Sequence, residues 1–334
     1  MSKTSPFRVV VPCGWLGEGH PVFAPLAEAG IECNPLEPEG PARKTYIERV
    51  KDYDCIVAGG EPFSREVLDQ LPRLKFIQRH GAGYDAIDLD YAARLGIAVA
   101  NTPGANAASV AEFALMLMLG ACHRVLEFDR CVKGRTPWIK GLTCRALEGT
   151  VGLVGFGAIA RALARLLTVF PVKVMAYDPL VDAAVMRELG VEKCELDDIR
   201  RRANIISLHA QALPTTRHMI GREFLEGLEH EVILVNTARG SLIDEAALID
   251  ALTTGKVVSA GLDVRELEWT SQANVDPLLS LPNVIITPHV ATDNLRCRVT
   301  VNTMAVQNIL HFFAGKPIQG LLNPTYKENA RPLG

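Results

Sequence analysis

The sequence predicts an α/β protein made of two doubly wound parallel-sheet domains, and three observations carry that prediction. Short apolar runs of strand character alternate with helical patterns through the first hundred residues, and the alternation starts afresh near residue 150. Strands separated by helices imply βαβ units and parallel pairing. A glycine-rich turn, Gly155-Phe156-Gly157, stands between one such run and the helical pattern behind it. Finally, 334 residues are too many for one ordinary domain and suit two.

In chain order, the first series holds four strand candidates: FRVVVP (7–12), CIVAGG (55–60), LKFIQRH (74–80) and GIAVANT (96–102). Each is apolar or β-branched and is closed by glycine, proline or polar residues. Between them lie the helical patterns ARKTYIERVKD (42–52) and SREVLDQL (64–71), the second with Ser64 as its N-cap. From Asn106 to Gly134 the sequence reads as one long helix, apolar almost all round at first and therefore buried.

The second series holds six strand candidates: TVGLVGFG (150–157), VKVMAYD (172–178), NIISLHA (204–210), EVILVNT (231–237), KVVSAGLDV (256–264) and NVIITPH (283–289). Six is the strand count of a full dinucleotide-binding sheet. A last helix is expected over 294–313.

The bulk numbers exclude several function classes. A composition of 48% hydrophobic and 22% charged residues is globular and supplies sizeable cores. A net charge of −3 offers nothing to nucleic acid or to an acidic membrane surface. The longest apolar stretch, 113–119, is far below the ~20 residues that span a bilayer. The N-terminal apolar run is short and ends at Pro12 and Gly14, as a strand does and a signal peptide does not. The eight cysteines include no Cys-x-x-Cys pair, so neither a metal site nor a redox dithiol is expected. A reduced, cytoplasmic protein is the expectation.

Gly155-Phe156-Gly157-Ala158-Ile159-Ala160 follows the apolar run 151–154 and opens the helical pattern ARALARLL. In a Rossmann-like unit the first glycine permits a tight turn and the second lets the backbone approach a pyrophosphate. The small third residue lets helix pack on strand. Free N–H groups at the helix start then face the phosphates. The next strand ends in Tyr177-Asp178. A carboxylate at that distance accepts hydrogen bonds from ribose hydroxyls and repels a 2′-phosphate, which argues for NAD over NADP.

Three further stretches each place a polar group after a strand-like run: NTARGSLIDE with Arg239, GLDVRELE ending at Glu268, and ITPHVATDN with His289. A guanidinium at a strand-to-helix loop can grip a carboxylate in two-pronged fashion and polarise a neighbouring carbonyl. An imidazole can give a proton to a carbonyl oxygen or take one back, help typically worth ~10²–10⁴-fold. A carboxylate bound to an imidazole fixes its tautomer and stabilises its charged form. The set suffices for interconverting a 2-oxo acid and a 2-hydroxy acid.

With these motifs assembled, the chain resembles the D-2-hydroxyacid dehydrogenase family over nearly all its length. Residues 81–112 resemble the family's substrate loop and the crossing into its cofactor domain. VGLVGFGAIA with Asp178 resembles its NAD fingerprint, and NTARGSLIDEAAL, GLDVRELE and TPHVA resemble its arginine, glutamate and histidine motifs. The resemblance implies Arg239 as carboxylate anchor, Glu268 as orienter and His289 as acid/base. Glu268 matches rather than Glu266, because the family's glutamate stands five residues after the aspartate corresponding to Asp263. It further implies cofactor contacts from Gly155, Phe156, Gly157, Ala158, Ile159, Tyr177, Asp178, His209, Ala210, Thr216, Thr237 and Ala238, with Asp263 facing the nicotinamide carboxamide. Ala82 and Gly83 would bind the substrate carboxylate through backbone N–H groups. The implied division is a discontinuous substrate domain, 1–102 with 294–334, and an NAD-binding domain, 103–293, with a cleft between them. A homodimer using the region after Asn106 is implied as well.

Three segments depart from the family pattern: HAQAL (209–213), the polar stretch that Trp269 opens, and ATDNLRCR after His289. Two other activities are weighed. A dinucleotide-sensing corepressor resembles the same fold, and formate-oxidising relatives pair the histidine with glutamine, against which Glu268 argues. Arg79, just before the loop HGAGYD, matches an arginine that phosphoglycerate dehydrogenases carry. The substrate expectation is 3-phosphoglycerate or, equally, glyoxylate/hydroxypyruvate, with a branched or aromatic 2-oxo acid left open.

Overall fold

A computed structural model describes residues 7–36, 45–137, 143–266 and 276–332. The chain divides into two compact units, Met1–Asn106 with Asp293–Gly334, and Ala107–Thr292.

Among the described residues of the first unit, five strands pair in parallel. They are β1 (Arg8–Val11), β2 (Glu32–Pro35), β3 (Cys55–Ala58), β4 (Phe76–Arg79) and β5 (Ala98–Ala100), in the order β2-β1-β3-β4-β5. Both faces are covered, which is why the inner strands read as continuous apolar runs. Along β3, Cys55 and Val57 join Phe76, Ala98 and Phe312 on one face, while Ile56 and Ala58 join Phe63, Leu68 and Val99 on the other.

Residues 32–35 carry no strand signal in the sequence. β2 is an edge strand of exposed or half-buried residues, and Pro35 is tolerated there because an edge does not need its missing N–H. The helix expected over 42–52 is shorter, Tyr46–Val50. Thr45 opens it through a reciprocal capping box with Glu48, and residues before 45 lie outside the described ones. Ser64 does stand at the N-cap of helix Arg65–Leu68, but its hydroxyl donates to Glu66 Oε2 (2.6 Å) instead of capping. Helix Leu295–Phe313 begins at Asn294, whose Oδ1 accepts the Cys297 N–H (2.9 Å). It lays Val306, Ile309 and Phe312 on the sheet, with Phe312 stacked on Phe76 at 4.7 Å between ring centroids.

Among the described residues of the second unit, seven strands pair in parallel: β6 (Gly149–Val154), β7 (Val172–Tyr177), β8 (Val191–Lys193), β9 (Ile205–Leu208), β10 (Val232–Asn236), β11 (Val257–Leu262) and β12 (Val284–Ile286). Their order is β12-β11-β10-β9-β6-β7-β8. The strand absent from the sequence expectation is β8, three residues at the edge with only Val191 buried. The chain runs outward from β6 to β8, then crosses back to β9 and runs outward the other way. The order thus reverses between β6 and β9, and ligands of such sheets bind outside the strand carboxyl ends at the reversal.

The single helix expected over 106–134 is corrected to two, Ala107–Cys122 and Val125–Val132, bent by 60°. Arg124 between them adopts a left-handed backbone (φ 51°), which a continuous right-handed helix cannot contain. Its guanidinium holds the buried Glu127 at 2.8 Å. Helix Ala107–Cys122 shares a core with helix Ala158–Leu167 through Ala114, Leu117, Met118, Leu163 and Leu167. No single helix among the described residues is long and apolar enough to cross a membrane. All eight cysteines are free.

Candidate active site

Because the strands of the second unit are parallel, their carboxyl ends share one edge. The loops leaving β6, β7, β9, β10, β11 and β12 there carry, in turn, Gly155–Ile159, Asp178, His209, Thr237–Arg239, Asp263 and His289.

Gly155 has φ 92°, and a β-carbon on it would stand 2.7 Å from the backbone of His209 and Ala210. Both facts demand glycine. Its N–H donates to the Tyr177 carbonyl (2.7 Å), while the Tyr177 ring packs on the core. Gly157 caps the start of helix Ala158–Leu167, and nothing lies within 4 Å of where its β-carbon would be. Gly157 and Ala158 are exposed and Ile159 is half-buried. Bare backbone and free helix-start N–H groups make this a fit for a pyrophosphate.

Asp178 is strapped beside that turn. Its Oδ2 accepts the Phe156 N–H (2.8 Å) and its Oδ1 the Leu180 N–H (2.9 Å). An oriented carboxylate with acceptor capacity to spare suits vicinal hydroxyls and opposes a phosphate. The residues present therefore fit NAD.

His209 is half-buried, its Nε2 3.0 Å from Ser207 Oγ, and burial pushes its pKa down to about 4, so the imidazole is neutral. Ala210 packs on the core beside it. Thr216 closes its own loop, donating to Gln211 O (2.6 Å) and accepting the Leu213 N–H (2.8 Å).

The arginine loop is ordered by Asn236, which sequence reasoning missed. Asn236 Nδ2 donates to Arg239 O (2.9 Å) and its Oδ1 accepts the Ala238 N–H (3.0 Å). An asparagine at a strand end is itself a turn signal. The Thr237 hydroxyl is buried without a hydrogen-bond partner among the described residues. Arg239 is half-buried and its Nη1 donates to Ala238 O (2.7 Å). Gly240 follows because a β-carbon there would strike the Arg265 backbone at 1.9 Å.

His289 is exposed and has a left-handed backbone, φ 55°. For a non-glycine residue such a conformation costs about 1–3 kcal/mol and persists only where its surroundings impose it. Asp263, 1% exposed, supplies that imposition. Its Oδ1 accepts the Thr287 hydroxyl (2.6 Å) and the Val290 N–H (2.9 Å), its Oδ2 accepts the Ala291 N–H (2.9 Å), and its carbonyl accepts the His289 N–H (2.8 Å). The expected contact of Asp263 with nicotinamide is therefore joined by a task the sequence did not reveal, shaping the histidine loop.

Glu268 and the Trp269 stretch lie outside the described residues. The competing glutamate is committed elsewhere: Glu266 Oε1 is 2.9 Å from His218 Nε2 and 3.1 Å from Arg217. In the first unit, Arg79 Nη1 donates to the carbonyls of Ala58 (2.9 Å) and His80 (3.2 Å) at the ends of β3 and β4. The loop after it is pinned by Gly81, which exchanges hydrogen bonds with Thr102 (3.0 and 3.1 Å), and by Asn101 Nδ2 donating to Ala82 O (2.7 Å). Ala82 and Gly83 are both half-buried.

Comparison with known proteins bears on the whole arrangement. The family model described as D-isomer specific 2-hydroxyacid dehydrogenase, NAD binding domain, matches residues 115–291. A glyoxylate reductase of Korarchaeum cryptofilum is 37% identical over 289 residues, 85% of this chain and 86% of that protein. A D-3-phosphoglycerate dehydrogenase of Archaeoglobus fulgidus is 34% identical over 90% of this chain, which spans only 58% of that longer protein. Among solved structures, D-lactate dehydrogenase of Aquifex aeolicus in complex with NAD and lactic acid superposes with a TM-score of 0.78 at 28% identity, covering 92% of this chain and 96% of that one.

Proposed function

The chain belongs to the D-isomer specific 2-hydroxyacid dehydrogenase family, and from that premise we propose that Arg239, Glu268 and His289 carry its NAD-dependent interconversion of a 2-hydroxy acid and the corresponding 2-oxo acid. The observation that carries the proposal is the Asp263-held loop. It spends backbone strain to present an exposed His289 on the same sheet edge as the glycine turn and Arg239.

Bound NADH supplies the hydride in reduction. Arg239 grips the substrate carboxylate with two parallel N–H groups and so fixes the carbonyl in place. Protonated His289 gives its proton to the carbonyl oxygen as negative charge builds there, and neutral His289 takes it back in oxidation. The role proposed for Glu268 is to fix the tautomer of that imidazole and to stabilise its charged form. The expected homodimer is part of the same proposal, with Val125 and Val132, 52% and 83% exposed, as apolar surface for it.

For substrate, glyoxylate or hydroxypyruvate is favoured over 3-phosphoglycerate. The Arg79 guanidinium binds backbone carbonyls of Ala58 and His80. The experiment is NADH absorbance with glyoxylate, hydroxypyruvate, pyruvate and phosphorylated analogues. NADH binding without turnover of any 2-oxo acid would remove the proposal.

A further inference from the structure

Two of the motifs that carry the proposed reaction also hold a charged residue the reaction does not use: Glu245 at the end of NTARGSLIDE and Arg265 within GLDVRELE. β10 and β11 pair in parallel, so the loops that leave them lie side by side. They touch at Gly240, the residue after Arg239. A β-carbon there would stand 1.9 Å from Arg265 C and 2.3 Å from Glu266 N. The peptide joining residues 265 and 266 is thus the surface on which the arginine loop rests.

That peptide is held by charge. Arg265, its side chain 7% exposed, places Nη2 2.8 Å from Glu245 Oε2 and Nη1 2.7 Å from Asp276 Oδ2. The other Glu245 oxygen, Oε1, accepts the Glu266 N–H (2.9 Å). One carboxylate therefore takes both the Arg265 guanidinium and the backbone N–H that follows it. Both carboxylates are themselves anchored at helix starts. Glu245 opens helix Glu245–Thr254, and Asp276 caps helix Pro277–Ser280 by accepting the Leu278 N–H (3.0 Å). Glu266 adds a second tie, since its Oε1 meets His218 Nε2 (2.9 Å) and the His218 N–H donates to Ser241 O (2.8 Å). That path returns to the arginine loop two residues beyond Arg239.

Buried ion pairs add little net stability over apolar packing of the same volume; what they can add is a fixed geometry. Here the geometry is that of residues 239–241.

We propose that Arg265 is a positioning residue for Arg239. Clamped between Glu245 and Asp276, it holds the backbone on which Gly240 packs and so sets the direction of the Arg239 guanidinium. The assignment rests on the carboxylate role proposed above for Arg239. A two-pronged grip tolerates little misplacement, so a small shift of the supporting peptide weakens it.

The test is steady-state kinetics of the full chain with NADH and either glyoxylate or hydroxypyruvate, with NADH Kd and Tm measured on the same proteins. Loss of folded enzyme lowers apparent kcat and leaves KM alone, so KM separates positioning from stability. Arg265→Met should raise KM about tenfold while NADH Kd stays within about twofold of the wild type's. Arg265→Lys keeps the charge but not the planar fork that reaches two carboxylates, so its KM should rise less. Glu245→Gln keeps an acceptor for the Glu266 N–H and should raise KM as well, which decides the matter where Arg265→Met does not fold. A KM within about twofold of the wild type's in every folded variant, with Arg239→Lys still raising it, would overturn the positioning role alone. A parallel rise in NADH Kd would overturn it too, because the disturbance would then not be confined to the arginine loop. An unchanged KM in Arg239→Lys would overturn the reading of Arg239 and the positioning role with it.

Discussion

Asp263 holds the backbone of His289 in its left-handed turn, taking the His289 N–H on its carbonyl (2.8 Å) and the N–H groups of the next two residues on its carboxylate (2.9 Å each). An exposed imidazole at the end of β12 thereby gains a fixed direction from a buried residue at the end of β11. Strain at the histidine and satisfied charge at the aspartate are two halves of one device.

Replacing Asp263 by Asn sets an amide N–H against one of those donors. Hydrogen bonds to charged groups contribute roughly 1.5–3 kcal/mol. The Asp263→Asn enzyme should lose ten- to a hundredfold in kcat, about that energy in rate terms, and melt at lower temperature. Steady-state kinetics with an NADH Kd separates the roles. A large rise in Kd with kcat preserved would assign Asp263 to the cofactor instead.

Arg239→Lys keeps the charge but cannot reproduce a planar two-pronged grip. KM for the 2-oxo acid should rise about tenfold or more, since the lost interaction is with the substrate carboxylate. An unchanged KM would take Arg239 off that carboxylate.

Asp178→Asn removes the charge that opposes a 2′-phosphate while keeping one acceptor for the Phe156 or Leu180 N–H. The ratio of kcat/KM with NADH to that with NADPH should fall. A ratio equal to the wild type's would place the ribose contact elsewhere.

Acid should weaken the second unit through His209. Its pKa lies near 4 in the fold against an ordinary value of 6.5, so the unfolded chain binds the proton first as pH falls. Its contribution is complete above about pH 6.5 and is lost as pH drops towards 4, by up to roughly 3 kcal/mol. Guanidinium unfolding between pH 4 and 7 should show that slope, reduced in His209→Gln. A wild-type curve flat down to pH 4 contradicts it.

Much of the fold was legible in the sequence because both sheets are parallel and covered on both faces. Stretches such as 151–154 and 232–235 then become unbroken apolar runs, and Gly155 announces itself by a turn no other residue can make. Edge strands β2 and β8 were not legible, since half-exposed residues lose the apolar signature. Nor was the break at Arg124, where a left-handed residue is neither glycine nor asparagine. The residues proposed for the site could be named from the sequence, but their wiring could not. Asp263 reaches partners 24 to 28 positions away.

The central claim is that His289 moves the proton of an NAD-linked 2-oxo acid reduction. Its most direct test is turnover of His289→Ala with NADH and hydroxypyruvate, beside NADH binding by the same protein. A kcat lower by ~10²-fold or more with NADH binding retained is the predicted result. Turnover near that of the wild type would contradict it.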